Sequence, residues 1–419
     1  MTYSQPTGRS TADALVVGGG LSGGLAALAL ADAGLAVALV DQLDPAKITS
    51  AKRDGRTTAI AYASSRVFKR LGLWDAIAPG AGAIRDILVT EGRGRDRFRR
   101  GGAADAFLRF DVTELGEEEA LGFIVENHVL LQAIHEGLRR SNSITVRAPA
   151  RVATLERSGR VAVAILDDGS TIEAGLAVAA DGRSSRLRAE AGVKTIEHRY
   201  GQTALTVIVR LERDHEGVAH ELFTPTGPFA VLPMAGRRAS VVWSEDETAA
   251  KAIRTLPPSE LATLLQDRFG EMLGRVEIDG PVVAYPLGLV FAQRMTAERL
   301  VLVGDAAHGI HPIAGQGYNL AVKDVAALAA ACGEAAAAGL DIGTADVLQR
   351  YERARRFDNT AMAAGTHAVN ALFKTEFAPV ALARQAGIAA VNRIPPLRTF
   401  FMREAGGDVG ALPPLMRPL

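Results

Sequence analysis

Glycine and aspartate recur in this chain in three short runs whose spacing suits the handling of a large phosphorylated ligand. The first run is Gly18-x-Gly20-x-x-Gly23, which follows an apolar strand pattern at 13–18 and opens a small-residue helix. Gly18 permits a tight turn, Gly20 lets a pyrophosphate approach the backbone, and Gly23 with Ala27 lets helix and strand pack closely. The first helical turn, with Leu21 and Ser22, presents N–H donors at the positive end of the helix dipole. A second apolar run, 35–40, ends at Asp41, whose carboxylate can accept hydrogen bonds from ribose hydroxyls. Strand, glycine turn, helix and acid together supply the context that a bare glycine motif lacks, and they predict a dinucleotide site. They leave open whether the nucleotide carries nicotinamide or flavin. The second run, Val178-Ala179-Ala180-Asp181-Gly182-Arg183-Ser184, taken alone reads as a β-turn at a strand end. The third is Gly304-Asp305-Ala306-Ala307-His308-Gly309-Ile310-His311-Pro312-Ile313-Ala314-Gly315-Gln316-Gly317-Tyr318-Asn319-Leu320.

The elements that must position these runs are interleaved along the chain. The βαβ beginning at 13–41 and a buried-strand pattern at 299–303 would share one sheet, with a long helix reading from near Asn319. Between them, alternating runs at 204–211, 229–233 and 239–243 predict a separate β-rich layer, with one helix after the Pro257-Pro258-Ser259-Glu260 start signal. That layer would lie over the nucleotide domain and form one wall of a cleft, where substrate sites commonly occur. No repeat or low-complexity linker divides the sequence, and after about Thr366 it reads as helices broken by Pro395-Pro396. The expected organisation is a discontinuous nucleotide domain at 12–75, 125–195 and 284–365, a substrate domain at 76–124 and 196–283, and a helical cap at 366–419.

Composition narrows the function classes. At 419 residues and 48% hydrophobic, the chain can bury a large core. Its 47 Lys plus Arg balance 47 Asp plus Glu, so no field of one sign argues for nucleic acid as a partner. Cys332 is the single cysteine, which excludes an internal disulfide, a redox pair and a thiolate cluster, and suits a reducing compartment. The polar first twelve residues lack the apolar stretch of a secretory signal, and Lys323, Asp324 and Glu334 interrupt the Ala-rich run 321–340. These features predict a soluble cytoplasmic protein whose membrane contact, where it exists, is peripheral, at the inner face. Five Arg between Glu91 and Gly102 suit anionic headgroups or an acidic partner, although a solvated hairpin is the simpler reading of them.

The third run resembles the GD motif and following loop of the aromatic-hydroxylase class of flavoproteins, and HPIAGQGxNL within it is close to the signature of the ubiquinone-biosynthesis hydroxylases. The second run is similar to that class's DG motif. Further matches cover nearly the whole chain, among them Asp54-Gly55-Arg56-Thr57-Thr58-Ala59, Glu126-Asn127, Tyr200-Gly201-Gln202-Thr203-Ala204, Gly227-Pro228-Phe229-Ala230-Val231-Leu232-Pro233 and Phe401-Met402-Arg403-Glu404. His128 departs from the pattern, standing where the family usually has an Arg near the cofactor; Gln132, one helical turn on, is the replacement contact expected here.

The resemblance implies an α/β fold like that of para-hydroxybenzoate hydroxylase: a Rossmann-like FAD-binding domain interleaved with a β-rich substrate domain, plus C-terminal helices. It implies FAD held by Gly18, Gly20, Leu21, Ser22, Gly23, Asp41, Arg56, Gln132, Asp181, Gly304, Asp305, Gly315, Gly317 and Asn319, with NAD(P)H as electron donor. Asp305 would bond the ribityl chain, and backbone donors at Gly315 and Gly317 would steady negative charge on the flavin ring. Reduced flavin would take up O2 as a C4a-hydroperoxide whose distal oxygen attacks a phenol ring. Pro312 and Gly315 would shape the flavin's face in the catalytic role, and Phe229, Pro233 and Trp243 would cover it; no acid or base is identified. His308 and His311 lie in the flavin loop without a ligand cluster, so no metal is expected. The implied substrate is a polyprenylated phenol or quinone precursor of ubiquinone biosynthesis, with proteins of that pathway's complex as further partners. A hydroxylase of a small soluble aromatic, or a flavin-carrying scaffold, are the rival readings.

Overall fold

A computed structural model describes residues 8–49, 54–91, 108–116, 118–375 and 377–419. Strand patterns with no polar interruption become the buried centre of a sheet covered on both faces. Arg9–Val17, Val37–Val40, Thr171–Ala179, Leu300–Leu302 and Ile144–Arg147 run parallel in the order Leu300–Leu302, Thr171–Ala179, Arg9–Val17, Val37–Val40, Ile144–Arg147. Their register decides the site. Val17 is level with Val40 and with Ala179, and Ala179 is level with Leu302. The residues that follow these positions, Gly18, Asp41, Ala180 and Val303, therefore leave the sheet along one carboxyl edge, which is where open α/β sheets bind ligands.

The fingerprint helix Leu21–Asp32 and the long helix Gln316–Ala337 pack together on this sheet. Leu25, Ala26, Ala27, Ala29, Val322, Val325 and Ala326 are all buried in the main core. The Ala-rich stretch is thus a core helix, and among the described residues no helix is long and apolar enough to cross a membrane. Gln316–Ala337 starts three residues before Asn319, because Gly315 takes a left-handed conformation at φ 63° and turns the loop directly into the helix.

The second layer is a nine-stranded sheet built mainly from Thr195–Leu211, Val218–Thr224, Gly227–Met234, Arg238–Asp246 and Val283–Ala292, with Asp86–Glu91 and Leu108–Asp111 at one edge. It extends beyond the predicted β runs at both ends: Thr195 pairs with Ala292 and Thr206 with Val283. One face carries its own core, in which Phe229, Val231, Val241 and Trp243 meet Leu261, Leu265 and Phe269 of the helix Pro258–Phe269. A three-stranded sheet of Thr57–Ala61, Gly82–Ile84 and Gly122–Glu126, which periodicity did not reveal, joins the two layers. Three helices, Ala345–Lys374, Ala378–Arg393 and Pro395–Gly406, complete the chain.

Candidate active site

One hollow lies at the edge of the parallel sheet and another between the two layers. The first is a groove of about 380 Å³ along the carboxyl edge of the parallel sheet, lined by Gly18, Gly20, Asp41, Ala180, Asp181 and Ser184 among others. Gly18 sits at φ 104°, and a Cβ there would meet the Ala180 carbonyl oxygen at 2.4 Å, so only glycine allows the first and second motifs to touch. At Gly20, by contrast, a Cβ would meet nothing within 4 Å, leaving the backbone open to a ligand. Asp41 accepts hydrogen bonds from the Gly19 and Leu43 N–H groups, which orients its carboxylate in the groove wall. Asp181 accepts from the Leu187 N–H at 3.2 Å through one oxygen, while its other oxygen, Oδ1, is buried and has no partner. An orphaned carboxylate oxygen beside an open glycine backbone fits a nucleotide bearing hydroxyls and phosphates.

The third motif meets the other two by contact. A Cβ on Gly304 would lie 2.6 Å from the Ser22 hydroxyl oxygen, and the Tyr318 hydroxyl donates to the Leu21 carbonyl at 3.2 Å. Arg188 donates to the Ala306 carbonyl at 2.9 Å and to the Arg183 carbonyl at 3.0 Å, tying the Asp181 turn to the Asp305 turn. Asp305 itself is exposed in the short turn Gly304–Ala306 that follows the strand Leu300–Leu302, and at Gly317 a Cβ would again meet open space. Asn319 is used differently: its Oδ1 accepts from the Ala61 N–H at 2.8 Å, and its Nδ2 donates to the Ala59 and Gly315 carbonyls. Its side chain pins the loop to the strand Thr57–Ala61. Arg56 is exposed and paired with Asp54, and Gln132 is exposed on the helix Asn127–Arg140; neither lines the groove or the cavity described below. His128 lies 3.6 Å from the Glu126 carboxylate.

A buried network that motif reading missed holds the third turn. Asp324, fully buried in the Ala-rich helix, receives His308 Nε2 at 2.6 Å, Arg355 Nε at 3.0 Å, Asn359 Nδ2 at 3.2 Å and the Gly304 N–H at 3.2 Å. Burial by itself would raise the Asp324 carboxyl, but His308 and Arg355 outweigh it and hold it below the usual carboxylate range. His308 is therefore an anchor of the turn. His311 is buried with neither ring nitrogen bonded and packs edge-on to Tyr200; burial, then Lys374, pushes it down to about 4. The signal that finds this network in the sequence is a charged pair, Lys323-Asp324, inside an otherwise apolar helix.

The second hollow is a cavity of about 280 Å³ beneath the nine-stranded sheet. The loop residues Pro312, Ile313, Gly315 and Gln316 form part of its lining, together with Ala59, Ile60 and Asn319. The sheet contributes Ala219, Glu221, Phe223, Pro228, Ala230, Leu232, Val242 and Ser244, and the last helix contributes Phe401 and Met402. Phe229 and Trp243 do not cover it, contrary to expectation. Side chains alternate along a strand, so with Pro228, Ala230 and Val242 facing the cavity, Phe229 and Trp243 face the opposite core, where Arg268 lies 4.1 Å over the Trp243 ring. Pro233 follows the same odd-numbered register as Phe229. Tyr285 also lines the cavity, its hydroxyl raised by burial and partly opposed by Arg56. Glu221 is the acidic side chain in this wall, and sequence reading missed it; the run of alternating Ala219, Glu221 and Phe223, one acid on an apolar face, is the mark it leaves. Residues 92–102, with their clustered arginines, lie outside the described residues.

Comparison with known proteins gives the same picture. The model of a family described as an FAD binding domain matches residues 11–365. The chain is 44% identical over 409 residues to the ubiquinone hydroxylase UbiL of Rhodospirillum rubrum, covering 97% of this chain and 92% of that protein. It is 33% identical over 408 residues to the 3-demethoxyubiquinol 3-hydroxylase of Escherichia coli, covering 96% and 99%. Among solved structures it resembles the p-nitrophenol 4-monooxygenase PnpA of Pseudomonas putida, with a TM-score of 0.77, 19% identity and coverage of 96% and 100%, a likeness of fold.

Proposed function

As this chain belongs to the ubiquinone-biosynthesis hydroxylases, a family of FAD-dependent monooxygenases, we propose that it hydroxylates the aromatic ring of a polyprenylated phenol or quinone precursor. The single observation that carries the substrate class is the cavity. It joins the loop Pro312–Gln316 to a wall of alternating apolar side chains, and it reaches Phe401, which is 42% exposed at the surface. A small aromatic acid would need cationic partners, and among the described residues no Lys or Arg lines the cavity. A ring carrying an isoprenoid tail needs the apolar walls that are present.

FAD would be held in the groove by Gly18, Gly20 and the N–H groups of Leu21 and Ser22, with Asp41 on ribose, and Asp181, Asp305 and Gly317 towards its flavin half. When bound and reduced, FAD supplies the activation of O2, with NAD(P)H as the proposed electron donor. The protein's own contribution is placement and dryness. Pro312 and Gly315 set the loop against the cavity, Asn319 locks that loop to Thr57–Ala61, and the apolar lining keeps water away from a reactive oxygen species. Peripheral membrane contact fits the surface near the cavity: Leu372, Phe377, Leu382, Ile394, Phe400 and Phe401 are exposed large apolar residues along the C-terminal helices.

The decisive experiment supplies purified FAD-loaded protein with a phenol bearing a short isoprenoid tail, NAD(P)H and isotopically labelled O2. One labelled oxygen atom in the ring of the product is the expected result. Absence of both substrate-dependent O2 uptake and hydroxylated product, with this phenol and with untailed ones, would leave the flavin-carrying scaffold as the better reading.

A further inference from the structure

Glu221 stands alone on the cavity wall. Its strand, Val218–Thr224, lies between Gly227–Met234 and Asp86–Glu91, and Glu221 pairs in register with Ala230 on one side and Val89 on the other. Ala219 and Phe223 flank it on the same face, and all five residues line the cavity. Among the described residues no hydrogen-bond donor or cation is paired with its carboxyl. The charged and titratable groups on neighbouring elements are engaged elsewhere or lie apart: Asp86 pairs with Arg109, Arg384 stacks on Phe373, and Lys374 is exposed. An unpaired carboxyl in an apolar wall is costly, and its missing partner is naturally a group that arrives with the ligand.

The other titratable residues of the lining do not suit that partnership, and the hydroxyl and amide side chains there are not bases. Burial pushes His220 down to about 4, and it raises the Tyr285 hydroxyl above its ordinary range, so neither accepts a proton well near neutrality. The Asn319 amide is spent on Ala59, Ala61 and Gly315. Glu221, by contrast, is pushed up by burial to about 7, where a carboxylate is both available and basic enough to draw a phenolic proton.

We infer that the Glu221 carboxylate accepts the ring hydroxyl of the substrate and takes its proton as oxygen is transferred, an inference that rests on the hydroxylase reading above. The substrate O–H bond breaks and a carboxyl O–H bond forms, which leaves a phenolate whose ring carbons are richer in electrons. The oxygen atom and the oxidising equivalents are those of the hydroxylation itself. As the ring rearomatises, its carbon-bound hydrogen leaves as a proton taken up in the water formed from the second oxygen atom of O2, and the carboxyl returns its own proton to the ring oxygen.

The test uses single turnovers of reduced, FAD-loaded protein mixed with O2 and the isoprenoid phenol, from about pH 5 to about pH 9, with product read by mass. The native protein is expected to gain rate as pH rises through about 7. Glu221→Gln should lose that rise and fall by about 100-fold, while Glu221→Asp should be slower yet keep it. A Glu221→Gln protein that keeps the native pH profile, at any rate, overturns the inference, because a purely structural role would move only the magnitude. If Glu221→Gln fails to hold FAD, the Glu221→Asp profile decides: a preserved rise supports the proposal and a flat one ends it. Absence of product from the native protein points instead to failure of the hydroxylase reading.

Discussion

The groove at the sheet edge and the cavity beneath the second sheet are built by opposite means. The groove is made of backbone: glycines without side chains, exposed N–H groups and carboxylates whose orientation is set by neighbouring amides. The cavity is made of side chains contributed every second residue by strands far apart in sequence, with one acid among them. A nucleotide is the same molecule in every protein that binds it, so a few short glycine motifs suffice to recognise it. A substrate pocket is a shape, and many different side-chain combinations can enclose the same shape.

That contrast can be broken by substitutions of decreasing force. Gly23→Val should abolish FAD binding altogether, because its Cβ would come within 1.8 Å of the Gly18 carbonyl oxygen; a purified variant that stays yellow would show that the turn tolerates side chains after all. Asp324→Ala strands Arg355 and His308 in the core and should cost about 3–5 kcal/mol of stability, read by denaturant unfolding, with FAD lost early in the transition. Ala230→Phe fills the cavity but leaves the groove untouched, so product formation should drop by about tenfold or more while the flavin spectrum persists. If Ala230→Phe loses flavin as well, the two sites are not separable.

The smallest effect concerns stability and runs opposite to activity. The folded-state value of Glu221, about 7, exceeds its ordinary 4.5, so the folded form binds the proton more tightly than the unfolded one. The stability it contributes in acid is then lost as pH rises between those values. Glu221→Gln should therefore match the native protein near pH 4.5 and become the more stable of the two above pH 7, visible as a higher Tm only on the alkaline side. An equal shift at both ends of the range would mean that the carboxyl does not titrate in the wall.

Both regions depend on one buried cluster. His308, Asp324, Arg355 and Asn359 join the third turn to two helices, and Arg188 joins it to the second turn. The turn that carries Asp305 is also the start of the loop that lines the cavity, so the same anchor fixes the nucleotide end and the substrate end. Apart from the charged pair Lys323-Asp324, nothing local announces this cluster, since its members are separated by up to 51 residues between His308 and Asn359 and meet only when the helices pack.

Local pattern determined a great deal: the fingerprint turn and its acid and the interleaved order of the two layers follow from short runs whose backbone conformation is dictated by glycine and by strand periodicity, and the FAD-binding class follows from the family resemblance that the second and third runs carry. Tertiary packing decided the rest. It chose which face of the strand Gly227–Met234 meets the cavity, turning Phe229 away and Ala230 inward, because strand periodicity says that neighbours point oppositely but not which set points where. It also gave Glu221 its apolar surroundings, since the environment of a carboxyl is set by Val89 and Ala230 on adjoining strands and not by its neighbours in the chain.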